Sequence, residues 1–128
     1  MSDIFVLDAS ALLCLINRER GWESVVEALP RSRIGAVNLG EVVARMCDRG
    51  MTPDAIDTAL SLLDLHVIEF DAELARASGL LRQKTRAAGL SLGDRACLAL
   101  AARLGAIALT ADRAWLDVDA GANIEMIR

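Results

Sequence analysis

IFVLDASALL, residues 4–13, decides how this chain folds. Four apolar residues, Ile4 to Leu7, run directly into Asp8, and after Ser10 the sequence turns apolar again. A short apolar run of that kind reads as a buried strand, and the residues after it as a helix over 11–17. The carboxylate then stands at the end of a strand, where the chain leaves a sheet.

Working outward, the same alternation recurs. A helix is expected over 22–29, a second strand over 33–37 and a helix from Asn38 to about Arg49, with Leu39, Val42, Val43 and Met46 at helical spacing. Gly50 stops that helix, and Thr52-Pro53 supplies an N-cap and first-turn pair for the next. Further strands are expected over 66–70, 106–110 and 124–127, with a long helix from Asp71 to about Ala88 and another from Ser91 to Leu104. Strands this apolar, separated by helices, imply an α/β fold with a five-stranded parallel sheet covered on both faces. No repeat or linker divides the 128 residues, so residues 1–128 are expected to form one domain.

The composition narrows the function. The apolar stretches, such as 96–102, are too short to cross a membrane, and Asp3 stands where a signal peptide carries a cation, so a cytoplasmic protein is expected. Cys14, Cys47 and Cys97 form no CxxC pair, and each falls in an apolar helical pattern, which predicts three small core residues in a reducing compartment. A net charge of −4 excludes affinity for nucleic acid through a generally basic surface. Lone His66 offers no partner for paired acid-base catalysis and reads as structural.

In a parallel sheet, strand ends and the N-termini of the following helices share one edge. Asp8 ends the first strand; Glu41 and Asp94 fall in the first turns of two helices; Asp112 follows the fourth strand. All four are expected at that edge. Each also has a local explanation. NLGE (38–41) and SLGD (91–94) have the spacing of capping boxes, Asp112 can cap a short helix through Trp115, and Asp8 can accept from its own turn. Local capping does not account for four carboxylates converging from distant segments, whose repulsion exceeds what helix dipoles offset. A divalent cation resolves that conflict. Ligands that are all oxygen suit Mg²⁺ or Mn²⁺, and no His or Cys cluster favours zinc.

Other metal-using α/β chemistries fit less well. Ser10 stands where a haloacid-dehalogenase-type phosphatase needs a second Asp, and Lys84, the single lysine, lies in a helix rather than at the strand end a receiver domain requires. Neither GxGxxG nor GxxxxGK[ST] occurs.

VLDASALL (6–13), NLGEVV (38–43), LSLGDRACLALA (90–101) and ALTADRAW (108–115), in that order, resemble the PIN-domain ribonucleases, and especially the VapC-type toxins of toxin-antitoxin pairs. The resemblance spans nearly the whole chain. It implies Asp8, Glu41, Asp94 and Asp112 as acids around Mg²⁺ or Mn²⁺, with the Ser10 and Thr110 hydroxyls beside them, and leaves open whether Asp112 or Asp117 touches the metal. It also implies an RNA substrate, a homodimer and a VapB-like antitoxin that sends a basic side chain toward the acids.

Metal-assisted attack of water on a phosphodiester needs no histidine. Phosphates need cations: Arg95 and Arg113, each next to a site acid, are the candidates, and Arg86, with Arg82 and Lys84, is a third. Aromatics are only 3% of the chain, so base-stacking platforms are scarce. The apolar residues around Trp22, Val25, Val26 and Leu29, beside Leu12, Leu13, Leu15 and Ile16, exceed what one sheet face needs and suit a covering partner, with intramolecular core as the alternative. Two function classes stay open: a metal-dependent endoribonuclease acting as a toxin, and a noncatalytic PIN-like RNA- or protein-binding module.

Overall fold

The computed structural model describes residues 3–128. Strand β1 (Phe5–Leu7) leads into α1 (Ala9–Ile16) and α2 (Trp22–Ala28), then through a 3-10 turn to β2 (Ser32–Gly35). Helices α3 (Ala36–Asp48) and α4 (Pro53–Ser61) precede β3 (Val67–Ile68). Helices α5 (Ala72–Leu80), α6 (Arg82–Thr85) and α7 (Leu92–Leu104) lead to β4 (Ile107–Thr110), a 3-10 segment over Arg113–Asp117 and β5 (Asn123–Met126).

The five strands form one sheet in the order β3-β2-β1-β4-β5, every pair parallel. From β1 the chain builds outward to one side through β2 and β3, then returns to the other side of β1 with β4. The topological switch point therefore lies between β1 and β4, where open α/β sheets place their ligands.

Period-two alternation sends side chains to opposite faces. Phe5, Leu7, Ile34 and Leu109 pack against α1 to α4, with Leu12, Val25, Val42, Met46 and Ile56. Val6 and Ala108 face the other way, into Leu74, Cys97, Leu98, Leu100 and Trp115. Among the described residues no helix is long and apolar enough to cross a membrane.

Several boundaries differ from expectation. The helix expected from Asp71 to Ala88 starts on its Asp71 cap, whose Oδ1 accepts from the Leu74 amide at 2.8 Å, but it breaks at Leu81 into α5 and α6. Gly79, one of the weakest helix formers, sits just before the break. The third strand shortens to two residues at the sheet's outer edge. Cys14 and Cys97 are buried, but Cys47 is exposed: it lies on the solvent side of α3, between the buried Val42–Met46 stripe and the helix end. His66 is exposed at the start of β3, the sheet edge opposite the acids, and its carbonyl accepts from the Ile34 amide. The apolar surplus on α1 and α2 divides: Leu12 and Val25 are core, Val26 is exposed, and partly buried Trp22 carries the Arg18 guanidinium 5.2 Å from its ring centroid.

Candidate active site

Asp8 follows β1 in extended conformation and caps α1, its Oδ1 accepting from the Ala11 amide at 2.8 Å. The parallel register that pairs Leu7 with Leu109 brings Asp8 alongside the end of β4. Ser10 Oγ donates to Asp8 Oδ1 at 2.7 Å and Thr110 Oγ1 donates to Oδ2 at 2.5 Å. Ser10 in turn accepts from the Ala111 amide, and Thr110 from the Asp112 amide. Two hydroxyls thus clamp one carboxylate while their remaining capacity holds the backbone that leaves β4.

Asp8 is only 4% exposed, and among the described residues no cation offsets it. Burial pushes its carboxyl up from 3.8 to about 6; the bonds from Thr110, Ser10 and Ala11 oppose that shift, and the charge of Asp94 adds to it. Glu41 is raised too, first by burial and further by Asp94, against the Asn38 bond and the charge of Arg45. The Cys97 thiol, fully buried, is driven well up by burial and then by the charges of Asp8, Asp94 and Glu41. These three acids, drawn from the ends of β1, α3 and α7, act in one electrostatic field.

The NLGE segment does not form a capping box. Helix α3 begins at Ala36 on a Gly35 cap, which puts Asn38 inside the first turn and Glu41 in the second. Asn38 is instead a buried strut. Its Nδ2 donates to Glu41 Oε1 and to the Gly93 carbonyl, both at 3.0 Å, and so ties α3 to the start of α7 across the top of the sheet. Gly93 completes the joint: a Cβ there would land on the Glu41 carboxylate. Within its own motif neither Asn38 nor Gly93 is legible as a positioning residue, because each acts on a group in another helix. That both segments carry the same small-residue spacing before an acid was the available signal.

The SLGD segment does form its capping box, with the Ser91 amide donating to Asp94 Oδ2 at 2.9 Å and the Asp94 amide to Ser91 Oγ at 3.2 Å. Asp112 is exposed and caps the 3-10 segment through Oδ1 and the Ala114 amide. It reaches Asp8 only through its backbone and Thr110. Asp117 is exposed at the far end of that segment.

The candidate cations separate. Arg95, a candidate for phosphate, is 9% exposed and donates to the Ser78 carbonyl, bracing α7 against α5. It follows Asp94 by one position, a step of about 100° around a helix, which turns it inward. Arg113 is exposed and donates to the Arg128 carbonyl. Arg86 is exposed in the turn after α6.

Among the described residues no three His, Cys, Asp or Glu side chains close around one point as they stand. Each acid is held by a local donor, yet Glu41 Oε2 and Asp94 Oδ1 accept no bond from the described residues. The donor set fits Mg²⁺ or Mn²⁺ in kind: oxygen only, negative, partly buried and without a compensating cation on Asp8. Mg²⁺ binds through one or two carboxylates and keeps its waters, so it does not require three direct ligands.

The profile of the PIN domain matches residues 5–121. No curated protein sequence matches the chain. Among solved structures it is similar to VapBC2 from Rickettsia felis bound to a promoter DNA fragment, at 17% identity and TM-score 0.76 over 96% of this chain and 98% of that one. A toxin-antitoxin complex from Klebsiella pneumoniae aligns at 20% identity and TM-score 0.74, covering 96% and 97% of the two chains. VapBC-5 from Mycobacterium tuberculosis, a member of the VapBC family of toxin-antitoxin systems, aligns at 24% identity and TM-score 0.64, covering 99% of each. With nearly its whole length matched by that profile, the chain belongs to the PIN domain family.

Proposed function

We propose that this chain is a metal-dependent endoribonuclease that acts as the toxin of a toxin-antitoxin pair, as a cytoplasmic homodimer restrained by a VapB-like antitoxin. The observation that carries the reading is the Asp8 carboxylate: buried at the end of β1, with no cation among the described residues to offset it, and in the field of Asp94. A fold that needed Asp8 only as a helix cap gains nothing by burying it among other acids. The similar VapBC complexes support the toxin role and the antitoxin.

Asp8, Glu41 and Asp94 would hold Mg²⁺ or Mn²⁺, with Asp112 at the margin. When bound, the ion supplies a water of lowered pKa and neutralises charge on the phosphodiester. The chain's own contribution is positional. Ser10 and Thr110 fix both oxygens of Asp8, Asn38 and Gly93 fix Glu41, and the capping box leaves Asp94 Oδ1 open. Attack of water on phosphorus with cleavage of the bond to the 3′ oxygen leaves a 5′-phosphate and a 3′-hydroxyl.

The alternative, a noncatalytic PIN-like binding module, has one observation in its favour: each acid already serves as a cap or is held by a strut. Purified protein freed of any partner decides between them. RNA cleavage dependent on Mg²⁺ or Mn²⁺, stopped by EDTA, leaving 5′-phosphates and lost in Asp94→Asn supports the nuclease. Absence of cleavage with either metal, or cleavage that persists in EDTA, refutes it. Growth arrest on induction, relieved by co-expression of the adjacent reading frame, tests the toxin role.

A further inference from the structure

A groove of about 230 Å³ opens from the acidic site between α1 and α3, lined by Ser10, Asn17, Glu19, Glu41, Arg45 and Arg49. Glu41 and Arg45 on α3 and Arg49 at its C-cap follow one another at intervals of four residues, which places them along one side of the helix at steps of about 6 Å. That is close to the step between successive phosphates of an extended single strand. Both arginines are exposed, and neither forms an ion pair with the described residues. Glu19, the one other acid in the groove, faces Arg128 at 3.6 Å, which offsets its charge. No aromatic side chain lines the groove, so it offers cations without a surface for stacking bases.

We infer that this groove holds the sugar-phosphate backbone of the single-stranded RNA beside the cleavage point, with Arg45 and Arg49 on successive phosphates. The inference rests on the proposed nuclease reading and adds to it where the strand runs. A chain of net charge −4 with an acidic centre repels its own substrate. Two free arginines, one and two helical turns from Glu41, provide the local positive field that an approaching strand needs. Contacts of this kind hold the strand in register without reading its sequence.

The test uses a fluorescein-labelled single-stranded RNA of roughly 12 nucleotides, within the span of single-strand grooves. Binding is measured in EDTA across a salt series and cleavage in Mn²⁺. Arg45→Ala/Arg49→Ala should weaken binding roughly tenfold near 0.15 M salt and flatten the slope of log affinity against log salt by about 1.4, the share of two phosphate contacts on a single strand. Cleavage should lose through KM rather than kcat. Arg45→Lys/Arg49→Lys should restore the slope. Arg76→Ala/Arg103→Ala, which removes the same charge from the α5–α7 face, should leave it unchanged. If wild type cleaves RNA and the double alanine variant keeps its affinity and slope, the groove assignment is overturned and the nuclease reading stands. If wild type neither binds nor cleaves RNA, both fall. If the double variant binds RNA normally but loses a co-expressed protein partner, the groove belongs to that partner and the assignment is wrong.

Discussion

Thr110 and Asp8 are separated by 102 positions in the chain, yet the Thr110 hydroxyl donates to Asp8 Oδ2 at 2.5 Å, with both residues buried. That bond favours the ionised carboxylate. Burial pulls the other way and raises the Asp8 pKa. The site holds a charge that the fold resists.

That opposition gives a pH dependence with a defined sign. The folded-state pKa of Asp8, about 6, lies above its ordinary 3.8, so between those values the folded protein binds the proton more tightly than the unfolded chain. Its contribution to stability is full below about 4, falls as pH rises and is lost above about 6, a difference of roughly 3 kcal/mol. Asp8→Asn should therefore raise the thermal midpoint measured in EDTA at pH 7 and leave it nearly unchanged at pH 4, and in Mg²⁺ or Mn²⁺ it should abolish cleavage. An equal effect at both pH values would show that Asp8 carries no such penalty.

Removing the clamp should make the penalty larger. Thr110→Val deprives Asp8 Oδ2 of its donor and the Asp112 amide of its acceptor, at a cost of about 2 kcal/mol. The acidic limb of the pH-rate profile should move to higher pH, and Thr110→Ser should return it. Chemical denaturation and the pH profile together check this; a loss of stability with an unmoved acidic limb would make Thr110 a packing residue only.

Gly93→Ala separates positioning from folding. The added methyl group displaces the flexible end of Glu41, while alanine favours the helix by up to about 1 kcal/mol. The variant should be as stable as wild type or more so, and should lose 10- to 100-fold in metal affinity or activity, as changes around metal ligands commonly do. Calorimetric titration with Mn²⁺ is the direct measurement. Unchanged affinity would remove Glu41 from the metal site.

Arg95→Ala should act on stability alone. Its guanidinium braces the Ser78 carbonyl, and losing that bond and the buried side chain should cost about 1 to 3 kcal/mol. RNA affinity and its salt slope should match wild type at a temperature where both are folded. A flatter slope would return Arg95 to the phosphate.

Much of this molecule could be read from local pattern. Apolar runs ending at Asp8 and Thr110, the Thr52-Pro53 start and the Ser91–Asp94 capping box all depend on neighbours within a few residues, where propensity and hydrogen bonding are local. The parallel sheet followed from how apolar its strands are, and the shared edge of the acids followed from the sheet. What the sequence by itself determined was thus the order of elements and the end of the sheet to which the acids belong. Only the tertiary structure decided which of those acids interact and what holds them. Asn38 bonds to a carbonyl 55 positions away, Gly93 makes room for a side chain from another helix, and Arg95 turns inward while Arg45 and Arg49 stay free. The reason is physical: a side chain's direction is set by helix phase and by the residues packed against it, and moving the cap of α3 three residues back, from Asn38 to Gly35, turned Asn38 from a cap into a strut.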